Sequence, residues 1–356
     1  MRAFLSFTKE DQKLFIEQAA ALKGWAPSSV EKDFWVSWTL QHLFALPCLA
    51  GQLTFKGGTS LSKAYGLIDR FSEDIDLTIN REVLGFGGQD SPEKASTSSQ
   101  RNRRLKGLRE ACSVFVSNSV LPELSTIIRQ ALPSHDWSLG MDDTDNDKQT
   151  LLFAYPSHFT GGIGRYVRPV VKIEFGARSD PWPAEARYIA SIIAQSFPDA
   201  IKEEHINVLT LSPKRTFWEK AMLVHEERFR PVDKPRRPRM ARHYYDLFRL
   251  IEQGVADEAV AEDGLFDQVA AHRKVFFSMN WVDYDTLLPQ KLEMLPTGDQ
   301  AKGWATDYVE MQAEMFSDAP PDFEFILETL NRFQEQFRKM KSRENSSVPE
   351  SARRQS

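Results

Sequence analysis

Two segments close together in the chain, a double-glycine turn and a strand with two aspartates, constrain the fold more than any other feature. Gly57-Gly58 follows an apolar stretch and permits a tight turn in which the backbone approaches a neighbour closely. Residues 74–79 then alternate polar and apolar side chains, which is the period of a strand. The alternation predicts that the leucine and the isoleucines face the core, and that Asp74 and Asp76 share the opposite face.

Two carboxylates on one strand face are suited to binding divalent cations. Their backbone positions would be about 7 Å apart, and the ions of two-metal phosphoryl-transfer sites lie about 4 Å from each other. Oxygen ligands alone favour Mg²⁺ or Mn²⁺ over zinc. After the glycine turn, Thr59 or Ser60 can cap a helix whose free amides attract phosphate oxygens. A solvated strand face and a simple turn are the alternatives, but the joint pattern indicates nucleotidyl transfer from a nucleoside triphosphate.

These residues resemble the AbiEii family of nucleotidyltransferase-like toxins, which includes the MenT toxins and belongs to the DNA polymerase β-like superfamily. The resemblance covers roughly residues 25 to 330, and the block from Gly57 to Asp76 is its most specific part. Further segments that match are Glu31–Val36, Lys172–Phe175, Arg215–Lys220 and His243–Leu247. The resemblance implies an α+β fold, with a polymerase β-like core around a mixed sheet and a mainly helical C-terminal portion.

The resemblance also implies a function in bacterial toxin–antitoxin or phage-abortive systems. The expected reaction moves a nucleoside monophosphate to an RNA acceptor, with the 3′ end of tRNA as the leading candidate, and so stops translation and growth. A cognate antitoxin would neutralise the enzyme. Two alternatives remain open: transfer to a protein hydroxyl or a small molecule, and a non-catalytic module that binds a partner.

Site roles follow from the same resemblance. Asp74 and Asp76 are the expected metal ligands, Lys220 contacts the triphosphate, and either Glu174 or Asp246 supplies the third catalytic carboxylate. Relatives carry Lys-Asp-x-x-Asp-Leu around the last position, whereas this chain has Arg242-His243 there and keeps one carboxylate. The expected nucleotide-binding set is Lys56, Gly57, Gly58, Thr59, Ser60, Ser72, Lys172 and Lys220.

Several of these residues have plain structural alternatives. Lys172 and Glu174 share one strand face, where they could form only a solvent-facing or salt-bridged pair. Lys220 could be a surface lysine of an amphipathic helix, and Ser72 a turn-capping serine. The acidic run 142–147 lacks the glycine and the distal glutamate of a calcium loop, so a solvated turn is expected. The basic run 234–239 could bind polyphosphate or RNA, or be a solvated loop.

The pattern of periodic and breaker residues predicts three parts of the chain. Residues 1–200 form the catalytic core with N-terminal helices, residues 201–343 a helical domain that completes the active site, and residues 344–356 a disordered tail. Ser28 to Glu31 has the pattern of a capping box. The predicted helices are 8–23, 29–44, 101–122, 123–132, 214–229, 241–253, 256–277, 301–316 and 322–342, and the predicted strands are 53–55, 74–79, 151–155 and 167–175.

Composition indicates a cytoplasmic protein. The two cysteines, Cys48 and Cys112, lie far apart without metal-ligand spacing, which favours buried thiols over a disulfide. Charged residues near the N-terminus exclude a signal peptide, and no apolar run is expected to reach the length of a membrane span. The net charge of −5 gives no global attraction to nucleic acid, so contact with RNA requires a local basic patch.

Overall fold

The computed structural model describes residues 2–132, 136–159, 169–201, 206–235, 239–316 and 319–347. These residues form two units. The first contains the described residues up to Ser212 together with Met315 and Phe316, and the second contains those from Pro213 to Glu314 and from Ala319 onward. The division falls after Ser212 rather than at residue 200, because the strand that ends at Leu211 belongs to the sheet of the first unit.

The first unit combines helices with one mixed sheet. Its helices are α1 (Arg2–Leu5), α2 (Lys9–Lys23), α3 (Pro27–Phe44), α4 (Gly57–Lys63), α5 (Ser98–Phe115), α6 (Leu121–Ala131) and α7 (Ile192–Ser196), and a π-helical turn joins α5 to α6. Its strands are β1 (Leu53–Lys56), β2 (Ile75–Ile79), β3 (Ser138–Met141), β4 (Thr150–Ala154), β5 (Val170–Gly176), β6 (Ala184–Ile189) and β7 (Ile206–Leu211).

Within the described residues the seven strands form one sheet in the order β3-β4-β5-β2-β1-β7-β6. β2 pairs in parallel with β5, β1 pairs in parallel with β7, and the other neighbours are antiparallel. The expected α+β class with a mixed sheet is confirmed. The sequence did not predict β3, β6 and β7. In β7 only Ile206, Asn207 and Val208 follow an alternation of apolar and polar residues, since Leu209 is exposed and Thr210 is buried.

The core face of β2 is the one that its alternation predicted, since Ile75, Leu77 and Ile79 are all fully buried. The long helix α3 packs against the sheet through its aromatic side chains. The Trp35 ring stacks 5.4 Å from that of Tyr155, between ring centroids. Residues 29–40 of α3 are buried without interruption, so this helix is enclosed on all sides, as the central helix of a core is.

The predicted capping box at the start of α3 is wrong. The helix begins at Pro27 with Ala26 as its N-cap, and no side chain caps it. The glutamate of the expected box, Glu31, instead accepts hydrogen bonds from the Ser157 hydroxyl at 2.6 Å and from the His158 amide at 2.7 Å. A long-range partner therefore overrides the local capping pattern.

The second unit is helical in its described part. Its helices are α8 (Pro213–Arg228), α9 (Ala241–Glu252), α10 (Val255–Ala261), α11 (Leu265–Phe276), α12 (Gly298–Met315, of which Met315 belongs to the first unit) and α13 (Phe323–Ser347). The single helix predicted over 256–277 is wrong, because the chain breaks at Gly264, whose φ of 71° is left-handed. Residues 344–347, predicted as disordered, continue α13, and the rest of the predicted tail lies outside the described residues.

Both cysteines are free thiols, as the sequence indicated. Burial raises the pKa of the Cys48 thiol to about 12, and it does the same for Cys112. Neither is therefore a thiolate near neutral pH, which is the form that reacts and binds metals.

One helical stretch in the described part of the chain, Ser98–Ala131, contains an 18-residue window with a mean hydropathy of 1.3 and the length needed to cross a bilayer. This departs from the expectation that no apolar run approaches that length. In the structure 28% of the window is buried. Core helices of non-membrane proteins pass the same test of length and composition, so the window alone does not identify a span.

His225 of α8 is a buried neutral base. Its side chain is fully buried, and its Nδ1 accepts the Glu293 amide hydrogen at 3.0 Å. Burial, opposed in part by Glu293, lowers the pKa of this imidazole to about 4. An unfolded histidine takes up a proton near pH 6.5, so the unfolded state binds more protons between these two values.

We therefore expect His225 to make the fold sensitive to acid. Its contribution is fully present above about pH 6.5 and falls as the pH drops through about 4, by at most about 3 kcal/mol. His225→Asn keeps an acceptor near the Nδ1 position and removes the titration. Urea unfolding at pH 7 and pH 5 should show a smaller loss of unfolding free energy for the variant. The same loss in both proteins would contradict this assignment.

Candidate active site

A row of polar side chains crosses the sheet at the start of β2. Lys56 of β1 lies opposite Asp76 of β2, Asp76 lies opposite Glu174 of β5, and Glu174 lies opposite Thr150 of β4. Residues in register on neighbouring strands have side chains on the same face. The structure thus brings together three residues that the sequence analysis selected separately. The spacing predicted a strand that begins at Asp74, but β2 begins at Ile75, so Asp74 directly precedes the strand.

The two glycines of the turn are each in close contact with a different side chain. A Cβ atom on Gly57 would lie 2.0 Å from the Asp76 Oδ2, and Gly57 also has a left-handed φ of 78°. A Cβ atom on Gly58 would lie 2.5 Å from a terminal nitrogen of Arg70 and 3.0 Å from the Ser72 hydroxyl oxygen. A side chain at Gly57 is disfavoured by its φ and by the Asp76 carboxylate, and a side chain at Gly58 would require the Arg70 guanidinium to shift, so the turn holds its backbone directly against these polar groups.

Ser72 lies at this turn. Its hydroxyl is 2.9 Å from that of Thr59, and the Thr59 hydroxyl also donates a hydrogen bond to the Asp74 carbonyl. These bonds tie the beginning of α4 to the segment that leads into β2. They place Thr59, Ser72 and Asp74 in one network. The nucleotide-binding role predicted for Thr59 and Ser72 and the metal-binding role predicted for Asp74 remain proposals.

Sequence analysis gave no role to Arg70. The structure buries this side chain, and its guanidinium donates a 3.2 Å hydrogen bond to the Phe71 carbonyl beside Gly58. The Phe71 amide in turn donates to the Met315 carbonyl at 2.7 Å. The chain did hold a signal, since Arg70 lies two residues before Ser72 and four residues before Asp74.

Beside the turn is a cavity of about 400 Å³, which is within the usual range for small-molecule sites. Its lining includes Lys23, Trp25, Lys63, Arg70, Ser72 and Gln195. Arg70 and Ser72 belong both to this cavity and to the contacts of Gly58, so the cavity adjoins the glycine turn.

Lys172 and Glu174 form an ion pair, the arrangement that the sequence analysis held open as an alternative. Both side chains are partly exposed, at 39% and 38%. Burial disfavours the charge of Lys172, but the hydrogen bond that Lys172 donates to Glu174, together with the charges of Glu174, Asp74 and Asp142, raises the pKa of Lys172 above the ordinary value. Lys172 is therefore a protonated cation beside the row of carboxylates.

The acidic run 142–147 is more ordered than the solvated turn that was expected. Asp142 is buried and accepts from the Thr144 amide at 2.9 Å, while Asp145 accepts from the amides of Asp147 and Gln149. Hydrogen bonds from Thr144 hold the pKa of Asp142 below its usual value. Together with Lys172, Glu174 and Arg178 the loop lines a second cavity of about 270 Å³.

The donor set fits magnesium held jointly with a nucleotide. Among the described residues no three His, Cys, Asp or Glu side chains gather closely enough to hold a metal ion by themselves. Mg²⁺ usually takes only one or two carboxylates from a protein and completes its shell with substrate phosphates and water. Asp74 and Asp76 lie close to the two glycines of the turn, and these two carboxylates are the number of protein ligands that such a magnesium site would use.

In the second unit Lys220 is buried rather than on the surface, so that alternative is wrong. Its Nζ is 2.9 Å from the Asp246 Oδ2 and 3.3 Å from the His243 Nδ1, and the Lys220 and Asp246 side chains are 8% and 0% exposed. Because an ammonium group only donates, His243 accepts through Nδ1. Phe217, Ala221 and Val224 form the buried stripe of the helix, as the sequence predicted.

The basic segments are only partly described. Of the run 234–239, residues 236–238 lie outside the described residues, while Lys234 lies 4.7 Å from the centroid of the Trp281 ring. The Arg230 guanidinium lies 5.1 Å from the centroid of the same ring, and Trp281 is partly exposed. On α5, Arg104 and Arg109 pair with Asp90 and Asp147.

A family model described as "Nucleotidyl transferase AbiEii toxin, Type IV TA system" matches residues 38–329. No curated protein matches significantly. Among solved structures the chain is similar to MenT4, a nucleotidyltransferase toxin from Mycobacterium tuberculosis H37Rv, with 16% identity and a TM-score of 0.47 over 98% of this chain and 93% of that one.

The contact between Gly57 and Asp76 predicts unequal effects of two alanine substitutions. Gly66 has a similar left-handed φ of 64° but open space around it, so Gly66→Ala should cost only the backbone strain of about 1–2 kcal/mol. Gly57→Ala adds an overlap with the Asp76 carboxylate, which should raise the loss by about 1–3 kcal/mol more. Urea unfolding of the two variants measures the difference, and equal losses would refute the contact.

Proposed function

Because the chain belongs to the AbiEii family of nucleotidyl transferase toxins, we propose that it transfers a nucleoside monophosphate from a nucleoside triphosphate to RNA, with the 3′ end of tRNA as acceptor. The observation that carries the proposal is the row of Lys56, Asp76 and Glu174 across three strands beside the glycine turn. Modification of that end would block aminoacylation and stop growth. The type IV toxin–antitoxin family implies an antitoxin as partner, and we propose that it restrains this activity, including in defence against phage.

The triphosphate is proposed to lie on the backbone of Gly57 to Ser60. The absence of side chains on the two glycines, together with the hydroxyls of Thr59 and Ser72, supports this placement. Lys56 supplies positive charge from β1, next to Asp76, and Lys172 supplies it from β5, the strand that also contains Glu174. Holding phosphates in a fixed position supplies most of what phosphoryl transfer needs, since the protein contributes little covalent chemistry.

Asp74 and Asp76 are the residues that we propose to hold divalent ions. When bound, two Mg²⁺ or Mn²⁺ ions would neutralise phosphate charge and lower the pKa of the acceptor hydroxyl. The chain's own contribution is to orient the carboxylates: the Thr59 hydroxyl bonds the Asp74 carbonyl, and Gly57 packs against the Asp76 carboxylate.

Glu174 is the third carboxylate in this proposal. It is in register with Asp76 and partly exposed, whereas Asp246 is fully buried against Lys220. Glu174 would take the proton of the acceptor hydroxyl while the oxygen attacks the α-phosphorus. The bond from that phosphorus to the β-phosphate oxygen then breaks, and pyrophosphate leaves. Asp246 would position Lys220, whose proposed contact with the triphosphate rests on the family pattern.

The transfer reaction is tested with each α-³²P-labelled nucleoside triphosphate, Mg²⁺ and total tRNA. We expect label from one triphosphate to enter tRNA, and Asp74→Ala with Asp76→Ala to reduce it by about 100-fold or more. Asp143→Ala is the matched control, because this aspartate is almost fully exposed at the far side of the acidic turn. Label on protein would replace the RNA acceptor with a side chain. No label, with toxicity intact in the double variant, would favour a partner-binding module.

The two candidate carboxylates predict different kinetic losses. Glu174→Gln removes a proton acceptor and should lower kcat by about 10²–10⁴-fold with little change in KM for the triphosphate. Asp246→Asn leaves Lys220 without its charged partner and should raise that KM by about tenfold or more. Steady-state kinetics on the labelled acceptor separate the two. Reversed effects would exchange the two assignments.

A further inference from the structure

Helix α3 carries three consecutive charged residues that are all buried. Glu31, Lys32 and Asp33 are 1%, 4% and 8% exposed. Charges enclosed in this way are costly unless each is paired, and an ion pair inside a protein seldom stabilises it more than apolar residues of the same size do. Because successive helical residues point about 100° apart, the three side chains reach three different neighbours.

Lys32 reaches the segment that leads into β2. It forms a buried ion pair with Glu73, whose side chain is 12% exposed. Glu73 directly precedes Asp74, so this pair fixes the backbone at the residue from which the first proposed metal ligand projects. Glu73 lies 41 residues from Lys32 in sequence, and the contact therefore joins α3 to the segment before β2.

Asp33 reaches the helix of the glycine turn. One of its oxygens pairs with Lys63, the last residue of α4, and the other accepts the Ile192 amide hydrogen at 2.7 Å. Because α4 starts at Gly57 and has only seven residues, holding its last residue also fixes the orientation of the turn at its start.

Glu31 has a different role. Its two hydrogen bonds go to Ser157 and His158, in the segment after β4, and neither partner belongs to the turn or to the β2 strand. Glu31 is thus as buried as its two neighbours and lies on the same helix, but it is tied to another part of the unit. The chain itself therefore provides a matched control.

We propose that Lys32 and Asp33 are positioning residues for two separate parts of the nucleotide site. Lys32 acts through Glu73 on Asp74 and sets the affinity for divalent ions. Asp33 acts through Lys63 on α4 and sets the affinity for the phosphates. These two roles rest on the proposed function, since they assume that Asp74 binds metal and that the glycine turn binds phosphate.

The test measures binding rather than turnover, on the full chain with Glu73→Gln, Lys63→Gln and Glu31→Gln. Electron paramagnetic resonance of free Mn²⁺ gives ion affinity in the presence of a non-hydrolysable α,β-methylene nucleoside triphosphate. Equilibrium dialysis at saturating Mn²⁺ gives the affinity for the same analogue. Analogues of all four bases are used, and thermal unfolding is followed in parallel.

Glu73→Gln should weaken Mn²⁺ binding by about 10–100-fold and leave analogue binding at saturating Mn²⁺ within about twofold. Lys63→Gln should do the reverse, weakening analogue binding by about tenfold or more. Glu31→Gln should lower the unfolding midpoint and change neither affinity. Two restored variants complete the set: Lys32→Glu with Glu73→Lys should recover Mn²⁺ binding, and Lys63→Arg should recover analogue binding.

Two results would overturn the positioning roles. In the first result, all three variants, including Glu31→Gln, lose both affinities in proportion to the fall in their unfolding midpoints. That is the behaviour of a merely structural network. In the other, neither affinity changes while the native chain binds both probes. A native chain that binds neither Mn²⁺ nor any analogue would instead reject the proposed function, and the positioning roles with it. If Glu73→Gln does not fold, the Mn²⁺ affinity of the double variant with Lys32→Glu and Glu73→Lys tests the role of Lys32 instead.

Discussion

The contact of the Gly57-Gly58 backbone with polar side chains on both of its sides is the constraint on which the rest of the site depends. Asp76 occupies the space where one Cβ would be, and Arg70 with Ser72 occupies the space of the other. The register that pairs Lys56 with Asp76 leaves no residue between the end of β1 and this contact. The chain must therefore turn at once, and a left-handed glycine is what allows it to do so.

Helix α3 combines two properties that rarely occur together. It is enclosed like an apolar core helix, yet it carries three charged residues in sequence. Its aromatic side chains anchor it to the sheet, and its charges then determine where α4 and the start of β2 lie relative to it. Apolar packing tolerates small shifts, whereas an ion pair with hydrogen-bonded geometry does not, so the charges define position more sharply than the packing alone.

Local patterns in the sequence predicted those features that depend on neighbouring residues. The period of β2 gave the correct core face, and the alternation of β5 put Lys172 and Glu174 on one face, where they pair. Features set by distant partners were missed. Glu31 had the spacing of a cap but bonds to residues 126 and 127 positions away. The ion pairs of Lys32 and Asp33 span 41 and 30 residues, which no periodic pattern reveals.

The two lysine–carboxylate pairs differ in burial, and the roles proposed for their carboxylates rest on that difference. Lys172 and Glu174 are each more than a third exposed, and pairs of this kind contribute about 0–1 kcal/mol. In the proposed reaction an arriving substrate would draw Lys172 away and free Glu174 at little cost. Lys220 and Asp246 are almost completely buried, and removing one partner of such a pair costs about 3–5 kcal/mol. In the proposed reaction that pair would stay together, so Asp246 would orient Lys220 rather than take the proton of the acceptor hydroxyl.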